Sequence, residues 1–189
     1  MLTPEQEVEV AAKELLRVAY HETAHKVICE RFGGSGDVHI WRNDKPGECA
    51  WRGQFCVDVF PWMAHEVRKA AGIRQVREPV YSREYIAMAG MIAELLLEDI
   101  RNQTDYVTEA DVAPVIAERL VSMIEDCTAS ESDLRGMGVS YCEDSGDIVG
   151  WNNRLVLTGI RMVREEWTKI VTEAERLIAD ATSETAQAA

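Results

Sequence analysis

The residues best suited to chemistry lie together in the segment Tyr20-His21-Glu22-Thr23-Ala24-His25. In a helix, His21 and His25 would share one face, about 5–6 Å apart at Cβ. Two imidazoles at this spacing can bind one zinc ion, and Glu22 between them can take a proton from a water molecule at that ion. The alternative is that two histidines on a half-buried helix face bond only to backbone or solvent.

A catalytic zinc ion needs a third protein ligand and one open position. His39 and His65 have the right chemistry, but a hairpin and a short amphipathic helix are expected to expose them. Glu94 lies inside a strongly apolar stretch, where a buried carboxylate must be paired or bound to metal. Asp111 lies at the start of a predicted helix, where it could also support the first turn. Spacing alone does not choose between Glu94 and Asp111.

The histidine segment lies inside a long helical pattern. Thr3 can cap this helix, Pro4 suits its first position, and Gln6 completes a capping box. Apolar residues at helical spacing follow, and Gly33 and Gly34 end the pattern. The predicted helix holds about 28 residues, roughly 40 Å at 1.5 Å per residue. A helix of this length is expected to be the central element of the fold.

The rest of the chain predicts a mainly α fold with a small β-hairpin after the zinc helix. Two extended stretches, at 37–41 and 49–59, flank a turn. Residues 128–149 lack periodicity and predict a mobile loop, while 182–189 predict a disordered tail after a single domain over 1–181. The predicted later helices cover 62–71, 81–100, 108–127 and 151–180.

Composition narrows the classes of partner. The 189 residues carry 33 acidic and 20 basic side chains, a net charge of −13, which disfavours nucleic acid and anionic membranes as partners. No run of eighteen apolar residues and no signal peptide occur, so we expect a soluble, cytoplasmic protein. The five cysteines are odd in number and form no C-x-x-C pair, which favours reduced thiols.

Three segments together resemble the proteolytic domain of the FtsH family of zinc proteases. Residues 20–25 are similar to that family's Y-H-E-A-G-H segment. Ala89-Gly90-Met91-Ile92-Ala93-Glu94-Leu95 resembles its G-G-x-x-A-E-E segment, and Thr108-Glu109-Ala110-Asp111-Val112 resembles the later segment that opens a helix. The order and the intervals are also similar, and the resemblance covers residues 15–125.

The resemblance implies a role for each matching residue. His21 and His25 would bind zinc, Glu22 would be the catalytic base, and Asp111 would be the third ligand. Glu94 would lie beside the site and orient a ligand histidine.

The resemblance also implies a substrate-binding strand around Trp51, Gly53 and Phe55, which would align a peptide by backbone pairing. Family proteases form rings, so a homo-oligomer is possible, although the ATPase that largely organises the ring is missing. The expected partner is a peptide or an unfolded protein segment.

Departures from the family pattern limit these expectations. Thr23 and Ala24 replace the family's Ala and Gly, and Leu95 replaces its second Glu. No G-x-x-x-x-G-K-[ST] loop occurs, so any hydrolysis would be independent of ATP unless a partner supplies the ATPase. The sequence therefore predicts a zinc metalloendopeptidase. The alternative is a weakly active or inactive binding or regulatory protein with the same fold.

Overall fold

The computed structural model describes residues 3–43, 45, 48–73, 80–101 and 109–187. Helices dominate these ranges, and the strands form two small antiparallel hairpins, so the predicted fold class is confirmed. In chain order the elements are α1 (Pro4–Arg31), β1 (Ser35–Arg42), β2 (Trp51–Val59), α2 (Pro61–Ala70), α3 (Ser82–Arg101), α4 (Glu109–Glu125), α5 (Glu131–Met137), β3 (Ser140–Cys142), β4 (Asp147–Val149), α6 (Asn153–Glu165) and α7 (Trp167–Gln187).

α1 is the central helix. Thr3 and Gln6 form the predicted capping box, Pro4 occupies the first turn, and the helix runs for 28 residues to Arg31. Its second half is buried, because α3, α7, β1 and β2 all pack against it. The histidine segment therefore lies on the most enclosed part of the longest helix described.

α3 packs lengthwise against α1 and is buried around most of its circumference, as its apolar sequence predicts. Both helices contribute fully buried side chains to the main core, among them Ile28 from α1 and Met88 and Ile92 from α3. α4 and α6 cover the outer side of α3. α1 and α3 thus pack together at the histidine segment, residues 20–25.

The β1–β2 hairpin lies across α1 and leaves one edge of β2 without a partner strand among the described residues. Val38 faces Phe55 and Ile40 faces Gly53 across the ladder. Trp51, at the start of β2, is buried against Leu15 and Ala181 and anchors the hairpin to the helices.

The predicted loop over 128–149 is wrong, because this segment holds α5, β3 and β4. Ser130 begins α5, and Gly138 ends it in the left-handed conformation (φ 69°). Gly146, also left-handed at φ 71°, lies in the turn between β3 and β4. Elements of three to seven residues are too short to establish a hydrophobic period, so no periodic pattern predicts them.

The single final helix predicted over 151–180 is divided at Glu166 into α6 and α7. Arg31 pairs with Glu165 and Glu166 at 2.6 and 2.7 Å, and the Trp167 ring packs against Tyr20 with 5.6 Å between centroids. Contacts with α1 therefore accompany the break. α7 extends to Gln187, into the predicted tail, and residues 188–189 lie outside the described ranges.

None of the helices in the described ranges combines the length and apolarity needed to cross a bilayer.

Candidate metal centre

The two histidines of α1 point their Nε2 atoms at the same place. The Nε2 atoms of His21 and His25 lie 3.0 Å apart, and the rings meet edge to face at 80°. Both side chains are nearly enclosed, with 12% and 9% of their surfaces exposed. One helical turn therefore brings two imidazoles to one small volume, as the spacing predicts.

The other ring nitrogens are held by α3. Nδ1–H of His21 donates to Glu94 Oε1 at 2.7 Å, and Nδ1–H of His25 donates to the Ile86 carbonyl oxygen at 2.6 Å. Because the carbonyl and the carboxylate oxygens accept these bonds, each Nδ1 carries a proton, so each ring, once neutral, presents the lone pair of Nε2. The structure thus places Glu94 beside a histidine, in the manner that orients metal-binding imidazoles.

Asp133 of α5 brings a carboxylate to the same volume. Its Oδ2 lies 3.1 Å from His21 Nε2, and its Oδ1 lies 3.5 Å from His25 Nε2. Within the described ranges, these three residues are the one group of metal-binding side chains whose ligand atoms all lie within 4.8 Å of one another. Oδ2 is buried and accepts no well-directed hydrogen bond from any described residue, which leaves it available to a cation.

Sequence reasoning missed Asp133. Asp111, the ligand implied by the family resemblance, is the third residue of α4, and its side chain lies outside the described residues. The available signal for Asp133 was weak: Ser130 followed by acidic residues in a possible first helical turn, which usually indicates only a helix start.

Gly90 lets α3 pack directly against the two histidine rings. A Cβ atom at this position of α3 would lie 2.6 Å from both His21 Nε2 and His25 Nε2. Any side chain here would therefore displace the rings from the arrangement described. Two imidazole nitrogens and one carboxylate oxygen, at the floor of a cleft, fit the three-ligand arrangement of a catalytic zinc ion.

The charges around the centre also favour a cation. Burial favours the neutral His21 ring, but the Asp133 and Glu94 carboxylates outweigh this effect and raise the pKa of His21 to about 10. Although burial opposes it, the two histidines lower the pKa of Asp133 below its ordinary value. A proton on His21 supplies the positive charge in the metal-free protein, and a divalent ion would replace it.

Glu22 lies between the histidines and β2. The backbone N–H of Phe55 donates to Glu22 Oε2 at 2.7 Å. Gly53 permits this closeness, because a Cβ there would lie 2.5 Å from Val18 Cγ1 and 2.7 Å from Glu22 Cγ. Gly53 and Phe55 thus border the centre, whereas the Trp51 side chain is largely buried in the core.

A cleft of about 780 Å³ opens onto the centre and extends toward the C-terminal end of β2. A second cleft, of about 730 Å³, shares His21, Glu22 and Gly53 with the first. It extends the opposite way, past Arg17 of α1 and Arg52 of β2. The centre therefore lies part-way along a groove, which suits a ligand that passes it on both sides.

Comparison with models of known protein families finds no match to this chain, and a search of curated proteins finds none either.

The close packing at Gly90 gives a direct prediction. We expect Gly90→Ala to lower zinc affinity about 100-fold, the upper range for changes in groups that support a ligand, because the methyl group would push both ligand rings out of position. Helicity should be retained, since Ala favours helices over Gly. Competition with a chromophoric chelator would measure affinity, and far-ultraviolet circular dichroism would check the fold. Unchanged affinity would show that the two rings as packed against Gly90 are not the zinc ligands.

The two aspartates can be told apart. We expect Asp133→Ala to weaken zinc binding by more than about 100-fold, because it removes a ligand rather than a supporting group. The matched Asp111→Ala variant should bind zinc like the unchanged protein if Asp133 alone completes the centre. Both affinities can be measured with the same chelator. The reverse pattern would assign the ligand to Asp111.

Zinc binding should release protons. At pH 7 the raised pKa of His21, about 10, keeps that ring protonated in the metal-free protein, whereas a ligand imidazole must be neutral. We therefore expect about one proton to leave His21 for each zinc ion bound. Calorimetric titrations in buffers of different ionisation enthalpy count released protons. A count of zero at pH 7 would show that His21 is already neutral.

Proposed function

We propose that the protein is a zinc-dependent metalloendopeptidase that hydrolyses extended peptides or unfolded protein segments. The observation that carries this proposal is the convergence of His21, His25 and Asp133 beside Glu22, at the floor of a groove bordered by β2. Each part alone has a structural explanation. Their combination is the arrangement that hydrolytic zinc sites require.

The ligand residues have a defined task. His21 and His25 would hold zinc through Nε2, with Asp133 as the third ligand and Glu94 keeping the His21 ring in the required tautomer. A zinc ion held there would act as a Lewis acid on the carbonyl of the scissile peptide bond. The buried surroundings strengthen these electrostatic interactions relative to water.

Glu22 is the residue we assign as general base. Phe55 N–H holds one carboxylate oxygen, and no other described residue is found hydrogen-bonded to this side chain. The second oxygen can therefore accept a proton from the attacking water and later deliver it to the departing amine. The Phe55 contact would fix the direction in which that oxygen points.

β2 would align the substrate. Phe55 N–H points toward α1 and away from β1, and in an antiparallel ladder every second residue faces the same edge. Gly53 therefore shares this edge with Phe55, and because Glu22 already accepts the Phe55 N–H, an extended peptide would pair with the Gly53 end of the edge. Because the groove continues in both directions from the centre, chain on both sides of the scissile bond would be accommodated, which favours an endopeptidase.

The proposal extends the resemblance to the FtsH peptidase domain without its ATPase. Extended or already unfolded segments are the substrates that the open groove would accept. The free cysteines Cys29, Cys49, Cys56, Cys127 and Cys142 support a reducing compartment such as the cytoplasm.

Glu22→Gln tests the activity. We expect peptide hydrolysis by the zinc-loaded protein to fall at least about 100-fold, because the amide cannot accept the proton, while zinc affinity stays within about twofold. An internally quenched peptide blocked at both ends measures endopeptidase activity. Undiminished cleavage by Glu22→Gln would overturn the role of Glu22. A protein that binds zinc but cleaves no peptide would instead favour the binding or regulatory alternative.

A further inference from the structure

Arg83 lines the first cleft from the opening turn of α3. Its side chain is exposed, and no ion pair joins it to a carboxylate of the described residues. Among the lining residues it is the one Lys or Arg side chain found within the described ranges. The cleft therefore contains a guanidinium group that the fold itself does not use.

Arg83 is also close to the proposed chemistry along the chain. It precedes Ile86 by three residues, about 4.5 Å along the helix axis, and the Ile86 carbonyl holds the His25 ring. Both residues line the same cleft. An arginine side chain one turn from this anchor can reach a group on a substrate bound at the centre.

The other charges lining this cleft have partners. Glu22 accepts a hydrogen bond from Phe55, and Asp133 lies against the histidines. Apolar side chains such as Val57, Phe60 and Trp62 form much of the remaining lining. A carboxylate on a ligand in this cleft would therefore meet the Arg83 guanidinium among largely apolar side chains. A guanidinium group binds a carboxylate well, because two of its N–H groups can donate to the two carboxylate oxygens.

We infer that Arg83 is a specificity-determining residue that binds a carboxylate of the peptide substrate in the first cleft, an inference that rests on the proposed peptidase function. The chain carries a net charge of −13, so its overall field does not attract acidic peptides. A preference for a carboxylate must then arise locally. The carboxylate could belong to an acidic side chain or to the C-terminus of the peptide.

Matched peptides separate these two sources. One series moves a single Glu or Gln along an otherwise neutral extended peptide, and a second series has a free or an amidated C-terminus. In one of the two series, we expect the peptide that carries the carboxylate to show about fivefold higher kcat/KM than its neutral partner. In the first series this is Glu against Gln, and in the second a free against an amidated C-terminus. Fivefold is the size expected for one exposed ion pair. Arg83→Gln should reduce this ratio to about one, and Arg83→Glu should reverse it in favour of a Lys-containing peptide.

Arg161→Gln is the matched control, because Arg161 is exposed, lies on α6 and does not line the cleft. It should keep the fivefold preference. Zinc content and melting temperature of each variant establish that the centre and fold are retained. A preference that persists in Arg83→Gln, or the absence of any preference in the unchanged protein, would overturn the inference.

A binding measurement separates this inference from the proposed catalysis. Zinc-loaded Glu22→Gln protein should bind the preferred fluorescent peptide about fivefold more tightly than its neutral partner, and adding Arg83→Gln should abolish the difference. If the preference in binding depends on Arg83 but the unchanged protein cleaves nothing, the peptidase function fails and carboxylate recognition stands. Cleavage with equal binding of both peptides would leave the peptidase standing and overturn the role of Arg83.

Discussion

The close approach of α3 to α1 at Gly90 is the constraint on which the candidate centre depends. A side chain at this position would run into both imidazoles. With glycine there, α3 comes near enough for Glu94 and the Ile86 carbonyl to accept hydrogen bonds from the two Nδ1 atoms. The same packing buries Met88 and Ile92, so the core that stabilises the fold also fixes the orientation of both rings.

This packing creates an electrostatic demand. Asp133 and Glu94 both face His21 in a nearly enclosed volume, and two carboxylates so placed need a compensating positive charge. The two carboxylates raise the pKa of His21, so that a proton on this ring meets the need when no metal is bound. A zinc ion would meet it with more charge and would also bind the buried Asp133 oxygen that accepts no directed hydrogen bond. A bound cation would therefore explain why His21, Glu94 and Asp133 lie so close together.

The elements that were predictable from the sequence are those with a long period or a strong boundary signal. The capping box at Thr3, the apolar spacing of α1 and the nearly continuous apolar surface of α3 each act within one segment. Because these patterns predict α1 and α3, they also predict the histidine pair on α1 and the buried position of Glu94 on α3. The break at Glu166 was not expected, because periodicity on its two sides is the same and the contacts to Arg31 and Tyr20 are tertiary. Asp133 was not predicted as a ligand for a similar reason. A helix of seven residues is too short to show a periodic pattern, and the contact of Asp133 with the α1 histidines depends on the tertiary fold.

We propose that His21, His25 and Asp133 bind one zinc ion. Diffraction from crystals grown with zinc, recorded on both sides of the zinc absorption edge, tests this most directly. We predict a single anomalous peak between these three side chains, about 2.0–2.1 Å from both Nε2 atoms and about 2.0–2.2 Å from an Asp133 oxygen. A peak elsewhere, or one at the histidines with another residue in place of Asp133, would contradict it.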